Sequence, residues 1–390
     1  MRELYIGLMS GTSLDGVDGA LVDLAGEHPQ TIGFTSAPMP VNLRRDLLAL
    51  QHSGPDELAR AAICANQIAT IYAQVVNRLI EDAAQSLLNG DTSDESRSSF
   101  QCESAAVRQQ IRAIGAHGQT IRHQPESGYT LQLLNGSLLS ELTGLAVVCD
   151  FRGADVAAGG QGAPLVPAFH QAVFSHDSRR RAIINIGGIA NLSLLAPGAT
   201  ALGCDSGPGN ALMDAWHEMH RGGPFDPDGT WAASGTVDQT LLDRLASEPY
   251  FSKPAPKSTG RDLFNLEWLQ AALHEPVVPE DVQATLLELT AQSIQAVAAS
   301  FRADEAYVCG GGARNARLMQ RLRELLAPVP VTMTEGLGMD PQSVEAVAFA
   351  WLAKCRINKN AGNLPAVTGA SGPRILGALY EAPIEQSDGE

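Results

Sequence analysis

Near the N-terminus, short apolar stretches at 3–9 and 17–24 flank a polar, glycine-containing stretch at 10–16. Runs of that length bounded by Gly and Ser predict two strands of a β-hairpin, with a third strand over about 31–36. From 55 to 88 the apolar positions recur at helical spacing. Residues 89–105, NGDTSDESRSSFQCESA, are rich in Ser and acidic residues and read as a flexible surface insertion. Apolar strands follow at 111–115 and 145–149, then a Gly-rich loop that opens into a helix near 165–174. Stretches at 181–186 and 189–195 flank Gly187-Gly188 as a second hairpin, and a short strand over 201–204 delivers Asp205 at its end. The remainder is mostly helical, near 237–247, 262–273, 280–302, 313–325 and 341–356, with one strand over 306–309. Hairpin, Gly-rich turn and third strand thus occur twice, about 180 residues apart. This echo predicts two related α/β domains with a cleft between them. The expected boundaries give one domain 1–150 plus about 368–390 and a second 151–367.

Composition narrows the function. The 390 residues carry 27 Lys plus Arg against 43 Asp plus Glu, a formal charge of −16. General affinity for nucleic acid or anionic lipid needs basic surface, so neither is an expected partner. A nucleotide is still allowed, because N–H groups and a metal can hold phosphates without Lys. The longest uncharged run, 182–204, contains Asn, Ser, Pro and Gly and reads as strands and turns, not a membrane span. Six cysteines without a CxxC pair fit a reducing, cytoplasmic setting. The unusual figure is 38 glycines against 10 Phe, 6 Tyr and 4 Trp.

Many of those glycines gather in four turns at predicted strand ends: 10–16, 187–191, 206–210 and 310–315. In open α/β sheets that edge binds ligands, and consecutive N–H groups there form an anion nest. No GxxxxGK[ST], no strand-borne GxGxxG and no GxSxG is present, which removes the P-loop, Rossmann and hydrolase-elbow readings. Asp205 before Ser-Gly-Pro-Gly is a helix cap, a metal ligand or a general base. Asp15 is an Asx-turn residue or a metal ligand. His117, Gln119 and Thr120, with Arg122 and His123, form a dense polar cluster suited to hydrogen bonding a substrate. Asp150 and Arg152 follow a strand end, where they pair with each other or with a substrate group. Glu345 stands alone among apolar residues of a predicted helix, and Cys204 reads as packing.

Taken in order, MSGTSLDGVDGALV, HGQTIRH, DFRGADVAAGGQGAPLVPAFH, NIGGIANLS, DSGPGNALMDAW, PKSTGRDLFN and CGGGARN resemble the anhydro-N-acetylmuramic acid kinase family over nearly the full chain. The resemblance implies a two-domain actin-like (ribonuclease H-like) ATPase fold with an interdomain active site. It implies ATP and Mg²⁺ as cofactors. The first phosphate loop would be Gly11, Thr12, Ser13, Leu14, Asp15, Gly16, Val17 and Asp18. Asn185, Gly187, Gly188 and Asn191 would form the second, with Gly207, Gly209 and Asn210 beside it. Gly310, Gly311, Gly312 and Asn315 would lie on the adenosine side. Asp205 is implied as catalytic base, Glu345 as a residue near the sugar that helps place the water or the substrate, and His117, Gln119, Thr120 and Arg152 as contacts to the sugar. Asp15 or Asp205 would meet the metal. The implied reaction opens 1,6-anhydro-N-acetylmuramic acid with water and phosphorylates O6, in peptidoglycan recycling, by a homodimeric enzyme. An ordinary sugar or amino-sugar kinase of the same fold, or a non-catalytic nucleotide sensor, are the alternatives.

Overall fold

The computed structural model describes residues 2–11, 14–88, 96–254, 257–273 and 278–384. Among these, the strands in chain order are β1 (Leu4–Met9), β2 (Gly16–Asp23), β3 (Gln30–Pro38), β4 (Ile111–Ala116), β5 (Gln119–Gln124), β6 (Tyr129–Leu133), β7 (Val147–Cys149), β8 (Arg181–Ile186), β9 (Ile189–Leu195), β10 (Leu202–Pro208), β11 (Glu305–Cys309), β12 (Val331–Met333) and β13 (Ala378–Tyr380). They lie in two compact units, Met1–Phe169 with Glu345–Glu390, and His170–Val344.

In the first unit the sheet order is β13-β7-β4-β1-β2-β3. β1, β2 and β3 pair antiparallel, whereas β1 with β4 and β4 with β7 are parallel. In the second the order is β10-β9-β8-β11-β12, again with an antiparallel trio and two parallel pairings. Two units of the same strand order and sense make this the actin-like, ribonuclease H-like arrangement. The expected pair of hairpins is therefore real, and each opens its own sheet.

Each unit also has its own core. In the first, the helix Glu57–Leu87 buries Cys64, Ile68, Tyr72, Val75 and Leu79, three or four residues apart. In the second, Pro279–Phe301 is buried along most of its length against β9 and β10.

The helix Val344–Ile357 explains why the compact units divide at 169/170 and 344/345, where the sequence reading placed boundaries at 150 and 367. Ala346, Val347, Ala348, Phe349, Ala350, Leu352 and Ala353 are all buried. A helix apolar on every side needs cover all round. Gly7 of β1 and Gly115 of β4 provide part of it, because a side chain at either would collide with the carbonyls of Ala346 and Phe349. Phe151 stacks with Phe349 at 5.5 Å and Phe169 with Trp351 at 6.0 Å. Asp155 accepts from Asn363 Nδ2 at 2.6 Å and Thr368 Oγ1 at 2.7 Å. Segments 151–169 and 345–367 therefore pack with the first unit.

Three further expectations change. The expected flexible insertion 89–105 is in part helical: Ser96–Gln110 is a helix whose Arg108 donates to Asn77 Oδ1 at 3.1 Å, while 89–95 lie outside the described residues. A hairpin, β5 with β6, stands where a polar cluster was expected. β10 runs on through Asp205, so Asp205 lies within the strand at a register shift and not at its end.

Candidate active site

Three of the four glycine turns meet within the second unit. The β8–β9 turn accepts N–H bonds from Gly209 (to Gly188, 2.9 Å), Asn210 (to Gly187, 2.8 Å) and Ala211 (to Gly188, 3.1 Å). Asn210 Nδ2 donates to the Ile186 carbonyl at 3.2 Å. The third turn closes on the same carbonyl. Gly310 has φ +80°, and a Cβ there would stand 2.8 Å from Ile186 O, so only glycine fits both the left-handed backbone and the space. Pro341 O accepts from Gly310 N at 2.9 Å and Gln342 Nε2 donates to Gly310 O at 2.9 Å, which fixes that turn from the other side. Asn315 caps the next helix by accepting from Leu318 N at 3.0 Å. Asn191 pairs with Asn185 and Asp205 in the sheet, and Asn185 is buried beside Gly310. A cavity of about 470 Å³ adjoins this turn, walled by Ala313, Ala316, Met319 and Met333 and rimmed by Asp228 and Glu335.

Asp205 is held at three atoms. Its N–H donates to Lys257 O at 2.9 Å, and its carbonyl accepts from Tyr250 Oη at 2.7 Å. Cys204 Sγ approaches that carbonyl at 3.5 Å. Its Oδ2 accepts from Thr259 N–H at 3.0 Å. Burial pushes its carboxyl up to about 6, against the opposing effect of the Thr259 bond. A carboxylate tuned toward neutral pH on a fixed backbone is suited to taking a proton. Burial raises the Cys204 thiol, which leaves it a packing residue as expected.

The fourth turn belongs to the first unit. Thr12 and Ser13 lie outside the described residues. Leu14 is buried at φ +58° and donates to Gly11 O at 3.3 Å. Asp15 is exposed, and its carbonyl accepts from Met39 N at 2.9 Å. Gly16, Val17 and Asp18 begin β2, with Val17 buried and Asp18 accepting from Ser36 Oγ at 2.6 Å.

The same unit gathers His117, Arg152 and Glu345. Arg152 donates from Nε and Nη2 to His117 Nε2 at 3.1 and 2.9 Å, and from Nη1 to Gly162 O at 2.8 Å. Burial and that guanidinium push His117 down to about 3, so its ring is neutral and cannot shuttle protons near pH 7. Burial lowers Arg152 to about 10, with Glu345 opposing the shift, so Arg152 stays charged. Arg152 thus pairs with His117, while Asp150 at φ +57° accepts from Gly153 N at 3.2 Å. Gln119 Nε2 reaches Gly11 O at 3.1 Å and so touches the first turn. Thr120 accepts from Gln132 Nε2 at 3.3 Å. The rest of the cluster is engaged elsewhere: Arg122 pairs with Glu57 at 2.5 Å and His123 with Thr130 at 2.9 Å.

The family model described as anhydro-N-acetylmuramic acid kinase matches residues 3–382. The chain belongs to the anhydro-N-acetylmuramic acid kinase family. It is 51% identical over 382 residues to the anhydro-N-acetylmuramic acid kinase of Bordetella avium (strain 197N), covering 97% of this chain and 96% of that one. It is 50% identical over 385 residues to that of Pseudomonas putida, covering 97% and 99%. A solved structure of the activator of 2-hydroxyisocaproyl-CoA dehydratase from Clostridium difficile overlaps at TM-score 0.41 and 12% identity, covering 91% of this chain and 96% of that one. The fold assignment stands on strand order and not on that overlap.

As a member of this kinase family, the chain is an enzyme. Tyr250, Lys257 and Thr259, which grip Asp205, received no role from the sequence. The signal was the PKSTGRDLFN segment, whose partner in the fold lies about 50 residues upstream. Lys257 Nζ donates to the carbonyls of Tyr250 and Phe251 at 3.1 and 3.0 Å, and burial lowers its pKa. It serves to hold the loop that holds Asp205.

Proposed function

We propose that this chain opens 1,6-anhydro-N-acetylmuramic acid with water and phosphorylates O6 from ATP, with Asp205 as the general base. The observation that carries the reading is the pinned, proton-hungry carboxylate of Asp205 in the unit that also gathers three glycine turns. Water attacks C1 and gives its proton to Asp205 while the C1–O6 bond breaks. O6 attacks the γ-phosphorus as the bond to the ADP oxygen breaks. The products are N-acetylmuramic acid 6-phosphate and ADP. Such transfer is catalysed by positioning and by charge stabilisation. The cavity beside 310–312 supports an adenosine site: apolar Met319 and Met333 suit a purine, and Asp228 and Glu335 suit ribose hydroxyls.

In the first unit, the charged Arg152, the neutral His117 and Glu345 are the proposed contacts to the sugar and its lactyl group, with Gln119 and Thr120 beside them. Glu345 helps to place the water. Among the described residues no group of three or more His, Cys, Asp or Glu could cage a metal. Mg²⁺ takes one or two carboxylates plus phosphates and needs no such group. Asp15 or Asp205 is the proposed carboxylate, and the ion would neutralise charge on the transferring phosphoryl group. Six free thiols support a reducing, cytoplasmic setting, and among the described residues no helix is long and apolar enough to cross a membrane. The homodimer implied by the family resemblance is part of the same reading.

A coupled ADP-release assay on the anhydro sugar in ¹⁸O water tests the reaction. Label at C1 together with ADP release is the expected result. ADP release with N-acetylmuramic acid alone, or label absent from C1, overturns it.

A further inference from the structure

Arg261 stands two residues beyond Thr259, the residue whose N–H holds Asp205 Oδ2. Its guanidinium lies over Gly188 in the β8–β9 turn. Nη2 and Nε are 3.4 and 3.5 Å from the point that a Cβ on Gly188 would occupy. That edge of the guanidinium makes paired hydrogen bonds to two oxygens of a carboxylate or phosphate. Gly188 is also next to the start of the helix Ala211–Arg221, whose Ala211 N–H bonds to Gly188 O and whose Cβ lies 3.7 Å from the same point. Helix N-termini favour anions.

The state of the guanidinium adds a separate argument. Arg261 is exposed, whereas the half-buried arginines are paired: Arg122 with Glu57, Arg181 with Glu305, Arg321 with Glu288, Arg152 with His117. Among the described residues the Arg261 guanidinium has no hydrogen-bond or ion-pair partner, in a chain whose formal charge is −16. An exposed guanidinium with no side-chain partner, over a glycine turn and beside a helix start, is open to an anion supplied from outside.

We propose that Arg261 is a catalytic residue that contacts the transferring phosphoryl group. Its Nε/Nη2 edge takes equatorial oxygens of the γ-phosphoryl group as the O6–P bond forms and the bond to ADP breaks. Arg261 stays protonated throughout and transfers nothing. The segment from Lys257 to Arg261 then acts as one strap: its first residue binds the Asp205 N–H, its third the Asp205 carboxylate, and its fifth the phosphoryl group. Base and phosphoryl clamp ride on the same five residues. This inference rests on the reaction proposed above.

The test uses the full chain carrying Arg261→Ala or Arg261→Lys. For R261A, kcat falls by about 10²-fold or more, toward the range of catalytic arginines in phosphoryl transfer. R261K loses less, because it keeps the charge but not the fork. KM for the sugar stays within about twofold, the acid limb of the pH–rate profile keeps its midpoint, and methylguanidinium restores part of the R261A turnover. A second readout does not need turnover. Aluminium fluoride, a phosphoryl mimic, tightens Mg·ADP binding to the native chain by calorimetry. R261A binds Mg·ADP equally well but shows no tightening. A kcat within threefold of native, unchanged tightening, or a loss seen only in KM for the sugar (a carboxylate contact instead) overturns the proposal. Should the native chain release no ADP with the anhydro sugar, the reaction falls, and the fluoride measurement still reads Arg261 by itself.

Discussion

Asp205 brings a stability cost together with its chemistry. Burial raises its carboxyl to about 6, while an unfolded Asp titrates near 4. Between those pH values the folded chain still holds a proton that the unfolded chain has lost, so stability falls as pH rises through this window. At about 1.4 kcal/mol per pKa unit the full cost above pH 6 is of order 2–3 kcal/mol. Asp205→Asn keeps an oxygen for the Thr259 N–H and removes the titration. Thermal unfolding should therefore show the variant more stable than native at pH 7.5 and equal to it near pH 4. A native chain as stable as the variant at both pH values would remove the burial argument. The same variant should lose ring opening and phosphorylation together, by about 10³-fold or more, with ATP affinity within a few-fold by calorimetry. In the native enzyme kcat/KM should fall about tenfold per pH unit below pH 6, because the base is then protonated. Asp205 was legible in the sequence as an acid among glycines at a strand. Its grip was not, because Tyr250, Lys257 and Thr259 are 45–54 residues away and only the fold brings them to it. Pairing of His117 with Arg152 was hidden for the same reason, and Arg152 looked equally able to pair with Asp150.

At the scale of elements, glycine position carries the most information. Gly310 at φ +80° faces Ile186 O, so Gly310→Ala meets both backbone strain of about 1–2 kcal/mol and a collision. The expected result is a rise of about tenfold or more in KM for ATP with the sugar KM unchanged. Steady-state kinetics in each substrate decide. Gly115 is glycine for a different reason, since the helix Val344–Ile357 packs its backbone against β4 there. Gly115→Val should lower the melting temperature by roughly 5 °C or more, or abolish soluble expression. Gly33→Ala is the control: a Cβ there stands 3.5 Å from Leu79 Cδ2, an ordinary contact, and scanning fluorimetry should show little change. The hairpins of β1–β2 and β8–β9 were legible because short apolar runs flank Gly and Ser. β5–β6 was not, because Arg122 and His123 made the stretch look like a site, whereas the structure uses them in an ion pair and a cross-strand bond.

Across the whole molecule, the sequence showed the duplication but misplaced its seams, and the cause is physical. Asp150 ends a strand and 368 begins a turn, so both looked like borders, yet the contacts that decide membership are Gly7 with Ala346 and Gly115 with Phe349, to which Phe151 is joined through Phe349. Those contacts span about 200 residues or more and leave no local pattern. The consequence is an asymmetry between the units. His170–Val344 is continuous, and its sheet and core cluster come entirely from that segment. Met1–Phe169 lacks the apolar helix that covers Gly7 and Gly115, and it lacks β13. Expressed alone, 170–344 should be soluble and melt in one cooperative transition, whereas 1–169 alone should aggregate and be rescued by co-expression with 345–390. A fragment cut at the sequence-derived seams, 151–367, carries Phe151, Phe169 and the largely apolar helix without the sheet that buries them, and should aggregate. Scanning calorimetry and size-exclusion chromatography on the four preparations decide between the two divisions. A soluble, cooperative 151–367 beside an aggregating 170–344 would return the boundary to the strand ends.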